Sequence, residues 1–410
     1  MNVESFYSQI LGIESPWEIT DVDLDVANER VDVHVKFSGK ALCPYCGKVA
    51  SIYDYAQERT WRHLDSCQMK TFLHCRLPRT DCDTCKVKTL EPSWSKANSR
   101  FTLLFESFII KVLLATKCDA KTAKLLRLTA KEVLGVKNRA VKRGLEIRGE
   151  LSAPKALGID EKSFGRGHNY LTILVDHENK SVIDLCKNRT EDAVNSLMEV
   201  YSEKEREKVE AVTMDMWTAF KNATETKFKK AICIHDRYHV ASHMSQALEQ
   251  TRRAEQKTLD KEEGAVLKGL RFTLLRSEAK RTDKDYLRLA KLEDGKLKTM
   301  KVFLMKELLR SIFEKKSTAE EATEEIEAWV ELAKEQKISN LTRVANMIHN
   351  HLKGICNYFK DRLTNSFAET MNSFIQELKS SARGFKNWAR YRINIMFHFG
   401  KLELDPLKKS

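Results

Sequence analysis

The sequence predicts a multidomain protein. A small β-rich module comes first, then a run of helices, then an α/β domain interrupted by a long all-helical insertion. Three observations predict that order. Six of the 10 cysteines, from Cys43 to Cys85, crowd near the start of the chain among short alternating stretches. An apolar stripe at helical spacing begins at Phe101. After Pro154 come three strand-like runs, then helix, strand, helix and strand.

Composition bounds the rest. A chain of 410 residues has room for about two to four domains. With 31% charged and 42% hydrophobic residues it reads as globular, not disordered. The 71 lysines and arginines against 58 acids give a net charge of +13. That excess favours a polyanionic partner, nucleic acid before a membrane surface, although a mildly basic balance is also common without one. No apolar run is long enough to span a membrane. The first stretch, from Met1 to Trp17, carries acids and no basic n-region, so it does not read as a signal peptide. The expected location is cytoplasmic, where cysteines serve as thiols or metal ligands and seldom as disulfides.

Residues 1–95 form the β-rich module, with alternation such as Arg30-Val31-Asp32-Val33-His34-Val35. Residues 96–152 form the helical region. Phe101, Leu104, Phe105, Phe108, Ile109, Val112 and Leu113 share one face, and two shorter helices follow at Ala120–Leu126 and Ala130–Arg143. Asp119 and Thr129 are their expected N-caps. Three such helices suit a helix-turn-helix or a plain linker bundle. Strands are expected at Ala156–Asp160, Tyr170–Val175, Ser181–Cys186, Val209–Met214 and Ala231–Ile234, with a turn at His177–Lys180. This is the ribonuclease H-like order. It occupies residues 153–239 and resumes over 354–395 with a helix at Leu363–Leu378. Residues 240–353 are the helical insertion and 396–410 a tail.

Cys43-Pro44-Tyr45-Cys46-Gly47 and Cys82-Asp83-Thr84-Cys85 are two C-x-x-C knuckles. A two-residue spacer lets one tight turn present both sulfurs to a tetrahedral Zn2+. Four thiolates leave no open position, so the zinc is expected to be structural. A redox pair or buried thiols are the alternative for such pairs. Cys67, Cys75 and His74 are spare and are expected in the core.

Asp160 and Asp215 end the first and fourth strands of the α/β domain. Neighbouring strand ends of an open sheet meet at one edge, so these carboxylates are expected to converge. Asn365, Glu369, Asn372 and Gln376 line one polar helix face, opposite Met371, Phe374, Ile375 and Leu378. Such a face is often only solvated. Beside two strand-end aspartates, Glu369 becomes the third member of a hard-oxygen site for Mg2+ or Mn2+. Asp176, Asp184 and Asp236 compete for the role.

These residues resemble the transposases of the bacterial ISL-three insertion-sequence family. The carrying segments are the two knuckles, Trp61-Arg62-His63-Leu64-Asp65, Leu157-Gly158-Ile159-Asp160-Glu161, Asp215-Met216-Trp217, Asp236-Arg237-Tyr238-His239, Asn365–Asn372 and Arg383–Trp388. They run in order over nearly the whole chain. The resemblance implies a zinc-binding domain, a helix-turn-helix and a ribonuclease H-like DDE domain with an all-helical insertion. It makes Asp160, Asp215 and Glu369 the catalytic triad. Asp236 and His239 resemble a (C/D)-x-x-H signature whose implied role is local structure around the site. The family often has glycine directly after the glutamate, and here Thr370 stands there.

The implied partners are double-stranded DNA, as terminal inverted repeats and as target, and further copies of the chain, as a homodimer or larger assembly. Lys137, Arg139, Lys142 and Arg143 on the last helix of the trio are expected at phosphates or in a groove. Arg166 and His168 flank the strand after Asp160, which suits phosphate contact or a solvated hairpin, and Arg383, Lys386 and Arg390 mix with aromatics after Lys379, which suits DNA contact or helix packing. Trp217 suits stacking on an unpaired base or packing at the sheet edge. The competing function is a non-enzymatic DNA-binding repressor derived from such an enzyme. The three acids are what separate the two.

Overall fold

A computed structural model describes residues 3–163, 170–290, 297–315, 317–382, 384–385 and 387–408. The chain divides into two compact units, residues 1–149 with 378–410, and residues 150–377. Each is described by itself.

The first unit opens with a helix, Val3–Leu11, and seven strands: β1 Trp17–Asp25, β2 Arg30–Phe37, β3 Ser51–Tyr55, β4 Arg59–Arg62, β5 Lys70–Cys75, β6 Pro78–Cys82 and β7 Lys86–Thr89. They form a four-stranded sheet ordered β1-β2-β5-β4 and a three-stranded sheet ordered β3-β6-β7. Alternation in β2 buries Val31, Val33 and Val35 on one face. Trp17 and Trp61 each pack edge-on against Trp94, at 4.9 and 5.8 Å between ring centres. The Trp61–Asp65 segment is a structural joint. Trp61 is fully buried, Arg62 is hydrogen-bonded to Asp65, and the His63 ring meets the Thr102 hydroxyl at 2.8 Å. Thr102 in turn caps the next helix.

Helices Leu103–Thr116, Asp119–Leu125 and Ala130–Arg148 follow. The last begins at the expected cap, Thr129, reinforced by Glu132 in a capping box. Asp119 is instead the first helical residue, with Cys118 at the cap. Its carboxylate is taken up by Lys137 at 2.6 Å. Helix Trp388–Phe399 packs on Ala130–Arg148, so residues after Leu378 group with this unit.

The second unit holds β8 Ala156–Ser163, β9 Tyr170–Asp176, β10 Ser181–Lys187, β11 Ala211–Met214 and β12 Ile232–His235. The sheet order is β10-β9-β8-β11-β12, with β8, β9 and β10 antiparallel and β11 parallel to both β8 and β12. The expected turn forms at His177–Lys180, and the Asp176 carboxylate closes it by accepting the backbone N–H groups of Glu178 and Asn179 at 2.8 Å. Helix Glu191–Met198 and a separate turn, Glu203–Arg206, connect β10 to β11.

From Arg237 to Asp361 the described chain is almost wholly helical, the longest helices being Arg237–Gln256, Lys298–Glu314 and Ala319–Glu335. Their apolar faces share one core, through Met244, Leu309, Ile326 and Trp329, with Ala211 and Ile234 of the sheet. The insertion is therefore fused to the β11–β12 edge. Helix Ser366–Ser381 follows. It buries Met371, Ile375 and Leu378 as expected, but Phe374 is 42% exposed.

Candidate active site and zinc site

Strand register sets the first two acids. Thr213 of β11 pairs with Gly158 of β8, and the strands run parallel. Asp215 and Asp160 each stand two residues further on and so lie level on adjacent strands, Asp215 just past the end of β11 and Asp160 within β8, which runs on to Ser163 instead of ending at Asp160 as expected. Glu369 arrives on helix Ser366–Ser381, whose attachment to the sheet is polar and buried. Asn365 donates from Nδ2 to the Ile159 carbonyl at 3.0 Å and accepts the Thr213 hydroxyl at 2.7 Å. That hydroxyl also meets His177 Nε2 at 2.7 Å. Gly158 leaves the space, since a Cβ there would lie 2.8 Å from Asn365 Oδ1 and from His177 Nε2. One helical turn beyond Glu369, Asn372 donates to Asp160 Oδ2 at 2.7 Å and to the Glu161 carbonyl at 3.2 Å.

His239 stands between the other two acids, with Nδ1 3.5 Å from Asp215 and Nε2 3.9 Å from Glu369. Asp236 serves two helices. Its Oδ1 accepts the Tyr238 N–H at 3.0 Å and caps helix Arg237–Gln256, while Oδ2 accepts the Asn365 N–H at 3.1 Å. The Asp236 side chain is thus committed to backbone donors, and Asp176 to its turn.

Burial pushes the Asp160 carboxyl up to about 6, and the charge of Asp215 adds to the rise; the Glu161 N–H, His239 and Asn372 oppose it. Glu369 is raised too, by burial first and then by the charge of Asp236. Carboxylates that are buried and raise one another's proton affinity are hard oxygen donors short of positive charge, and a divalent cation fits that set. The three do not crowd together. Among the described residues, the four cysteines are the one group of three or more such donors within 4.8 Å of one another.

Arg189, beside this edge, lies over Tyr170 and Trp217 at 4.2 and 4.1 Å and donates to Glu161 at 2.8 Å. Glu161 is thereby engaged away from Asp160. Trp217 is 40% exposed, and its indole N–H donates to the Arg189 carbonyl at 3.2 Å. A cleft of about 420 Å³ beside Glu369 is lined by Asp236, Tyr238, Met244, Lys306, Arg310 and Phe313.

In the first unit, Cys43, Cys46, Cys82 and Cys85 converge, with Sγ of Cys46 and Cys82 3.6 Å apart. Tetrahedral Zn–S bonds of about 2.3 Å call for sulfurs about 3.8 Å apart, so the set fits zinc. Gly47, at φ +71°, closes the first knuckle by donating to the Cys43 carbonyl at 2.9 Å. Backbone N–H groups of Cys46 and Tyr45 draw the Cys43 thiol down to about 6, the direction a ligand needs. Of the spare residues, Cys75 is buried and its thiol pushed up to about 12 by burial, and His74 is held by Asp32 at 2.5 Å. Cys67 is exposed, against expectation, on a turn at φ +49°.

The basic residues divide. Lys137 is buried between Asp119 and Asn394, at 2.6 and 2.7 Å, and Arg143 reaches the Leu404 carbonyl. Both cations are used inside their unit, which corrects the expectation that they meet DNA. Arg139 is paired with Glu106, whereas Lys142 and Arg390 are exposed. Arg166, His168, Arg383 and Lys386 lie outside the described residues. Among those described, no helix is long and apolar enough to cross a membrane.

The helix-face spacing had marked Asn365, Glu369 and Asn372. Nothing in the sequence marked His177, Thr213 or Arg189, because their partners are remote along the chain.

Two family models match. A transposase model covers residues 157–395, and a model of the zinc finger of IS204, IS1001, IS1096 and IS1165 transposases covers residues 40–85. The chain belongs to the ISL3 (ISL-three) family of DDE transposases, with a zinc ribbon at its N-terminal end. It is 25% identical to the transposase for insertion sequence element IS1557 of Mycobacterium tuberculosis, over 94% of this chain and 93% of that protein. It is 23% identical to the transposase for IS1001 of Bordetella parapertussis, over 90% and 91%.

Proposed function

We propose that this protein binds the terminal inverted repeats of an insertion sequence and catalyses divalent-metal-dependent strand cleavage and strand transfer. Asp160, Asp215 and Glu369 are the acids, on a ribonuclease H-like fold. One observation carries the reading. Asp160 and Asp215 stand level on adjacent parallel strands, and the helix bonded to Asp160 through Asn372 carries Glu369 on the same side.

Bound at these acids, Mg2+ or Mn2+ activates an attacking hydroxyl and neutralises charge at the scissile phosphate. The chain's own residues prepare that edge. Asn372 holds one oxygen of Asp160, the Glu161 N–H holds the other at 2.8 Å, and the His239 ring stands between Asp215 and Glu369. In the first step water adds to phosphorus, the P–O3′ bond breaks and a 3′-hydroxyl leaves. In the second that hydroxyl attacks a target phosphodiester, and the displaced 3′-oxygen takes up a proton. No bond between protein and DNA forms.

Helices Leu103–Thr116, Asp119–Leu125 and Ala130–Arg148 act as a helix-turn-helix that reads the repeat together with the zinc ribbon, with Lys142 and Arg390 on phosphates. Trp217 stacks on an unpaired base near the cut. Joining two ends calls for a homodimer or larger assembly. The test is cleavage of an element-end duplex by the full chain with Mg2+ or Mn2+. Asp160→Ala, Asp215→Ala and Glu369→Ala should each lower the rate about a thousandfold or more, roughly 4 kcal/mol of barrier. Full activity in any of the three overturns the assignment, and DNA binding without cleavage by the native chain returns the repressor reading.

A further inference from the structure

We infer that Asn372 is a positioning residue of the cation site, fixing Asp160 through its amide N–H and offering its amide oxygen to the hydration shell of the bound ion. The inference rests on the reading of Asp160 as a cation ligand and adds a residue to it.

Two acceptors, Asp160 Oδ2 at 2.7 Å and the Glu161 carbonyl at 3.2 Å, face one end of the Asn372 carboxamide. Only an NH2 group satisfies both, so the amide orientation follows from its partners. Oδ1 is then fixed at the other end of the same amide, next to Asp160. It is buried and among the described residues has no hydrogen-bond donor, in a residue only 6% exposed. A buried acceptor without a donor costs about 1–3 kcal/mol, so such an atom is expected to have a partner in the working state. The neighbouring side chains of the site do not supply one. Asp160 and Glu369 are carboxylates, and the Arg189 guanidinium is turned to Glu161. A hydrated divalent cation brings water O–H groups, the donors this oxygen lacks, because Mg2+ and its analogues keep several waters when held by few carboxylates. Partners that orient a metal's ligands in this way typically contribute about 10–100-fold in affinity.

Asn372 also differs from Asn365, its neighbour on the same face. Asn365 has both ends of its amide satisfied, by the Ile159 carbonyl and the Thr213 hydroxyl. It fastens the helix to the sheet, which leaves the open acceptor of Asn372 unexplained by docking alone.

The experiment is Mn2+ binding to the DNA-free full chain, by calorimetry and by the Mn2+ electron paramagnetic resonance signal, with thermal unfolding in parallel. Asn372→Leu keeps the volume and removes both polar ends; Asn372→Ala repeats the loss without bulk, should leucine disturb folding. Both should weaken Mn2+ about 10–100-fold. In the cleavage assay they should raise the Mg2+ concentration for half-maximal rate more than they lower the maximal rate. A purely structural role would lower the unfolding temperature and leave Mn2+ affinity at the native value, which overturns the inference. Asp160→Ala separates the two layers. If it abolishes Mn2+ binding while both Asn372 variants bind normally, only this inference fails. If Asp160→Ala also binds normally, the proposed cation site fails with it.

Discussion

The zinc ribbon and the proposed acid site of this protein are built in opposite ways. In the zinc ribbon each pair of sulfurs is presented by one tight turn, and all four lie within 4.8 Å of one another. In the acid region each carboxylate comes from a different element, and the assembling is spread along the chain: Asn365, Thr213, His177 and Asp236 dock the helix, while Asn372 bonds Asp160. A site that must hold zinc permanently can be local. The acid region instead draws its partners from several elements, among them Asp236 of the helix cap and Asn365 and Asn372 of the helix that carries Glu369.

The largest effect that tests this contrast is on the ribbon. Stripping zinc with a chelator, or Cys82→Ser, should unfold residues 40–90, because metal binding supplies folding free energy of about 10 kcal/mol or more in such domains. Circular dichroism and proteolysis of the full chain read it. A ribbon that stays folded without zinc breaks the comparison. No similar collapse is expected at the other site, where Asp160→Ala should leave the unfolding temperature within a few degrees.

The next effect is on the frame. Burial lowers the His177 ring to about 4 from its ordinary 6.5, and the structure bonds it to Thr213. A depressed folded value means that the unfolded chain binds the proton more readily. The stability is therefore complete above about pH 6.5 and drains as pH falls toward 4, by on the order of 3 kcal/mol for this residue. Denaturant melts from pH 7 to 4 on the native chain and on His177→Gln should show the glutamine variant losing less. Parallel curves would remove His177 from the frame.

The smallest effects concern the helical trio. Lys137→Met, losing a buried cation held by Asp119 and Asn394, should cost about 1–3 kcal/mol. Lys142→Ala, at an exposed position, should change stability by less than about 0.5 kcal/mol and show itself only as weaker, less salt-dependent DNA binding. Equal stability losses for the two would mean that the burial of Lys137 carries no weight.

Much of this was legible in the sequence. The five strands of the α/β region lie within a few residues of their expected spans, and β8 begins at Ala156 and β10 at Ser181 as read. The C-x-x-C pairs announce their chemistry because ligand and turn are neighbours along the chain. Glu369 was found through helix-face spacing, which also named Asn365 and Asn372. What stayed hidden depends on which side of an element faces inward. The basic run after Val136 reads as a DNA-facing row, but Lys137 and Arg143 fall on the buried side of their helix, and only Lys142 of that run points well away from protein. Likewise Phe374 fits an apolar stripe by spacing but stands at its exposed margin.

One carboxylate has a bearing on how the chain can vary in length. Asp236 caps the helix that enters the insertion and accepts the N–H of Asn365, just before the helix that leaves it. The long excursion between them thus starts and ends at a single side chain. A flexible loop whose ends are already pinned is insensitive to its contour, since doubling its length costs only about 0.6 kcal/mol. The excursion here is packed, and its core takes in Ala211 and Ile234 of the sheet. Helical pairs that touch neither Ala211 and Ile234 nor the cleft beside Glu369 should therefore be open to removal or extension without moving Glu369.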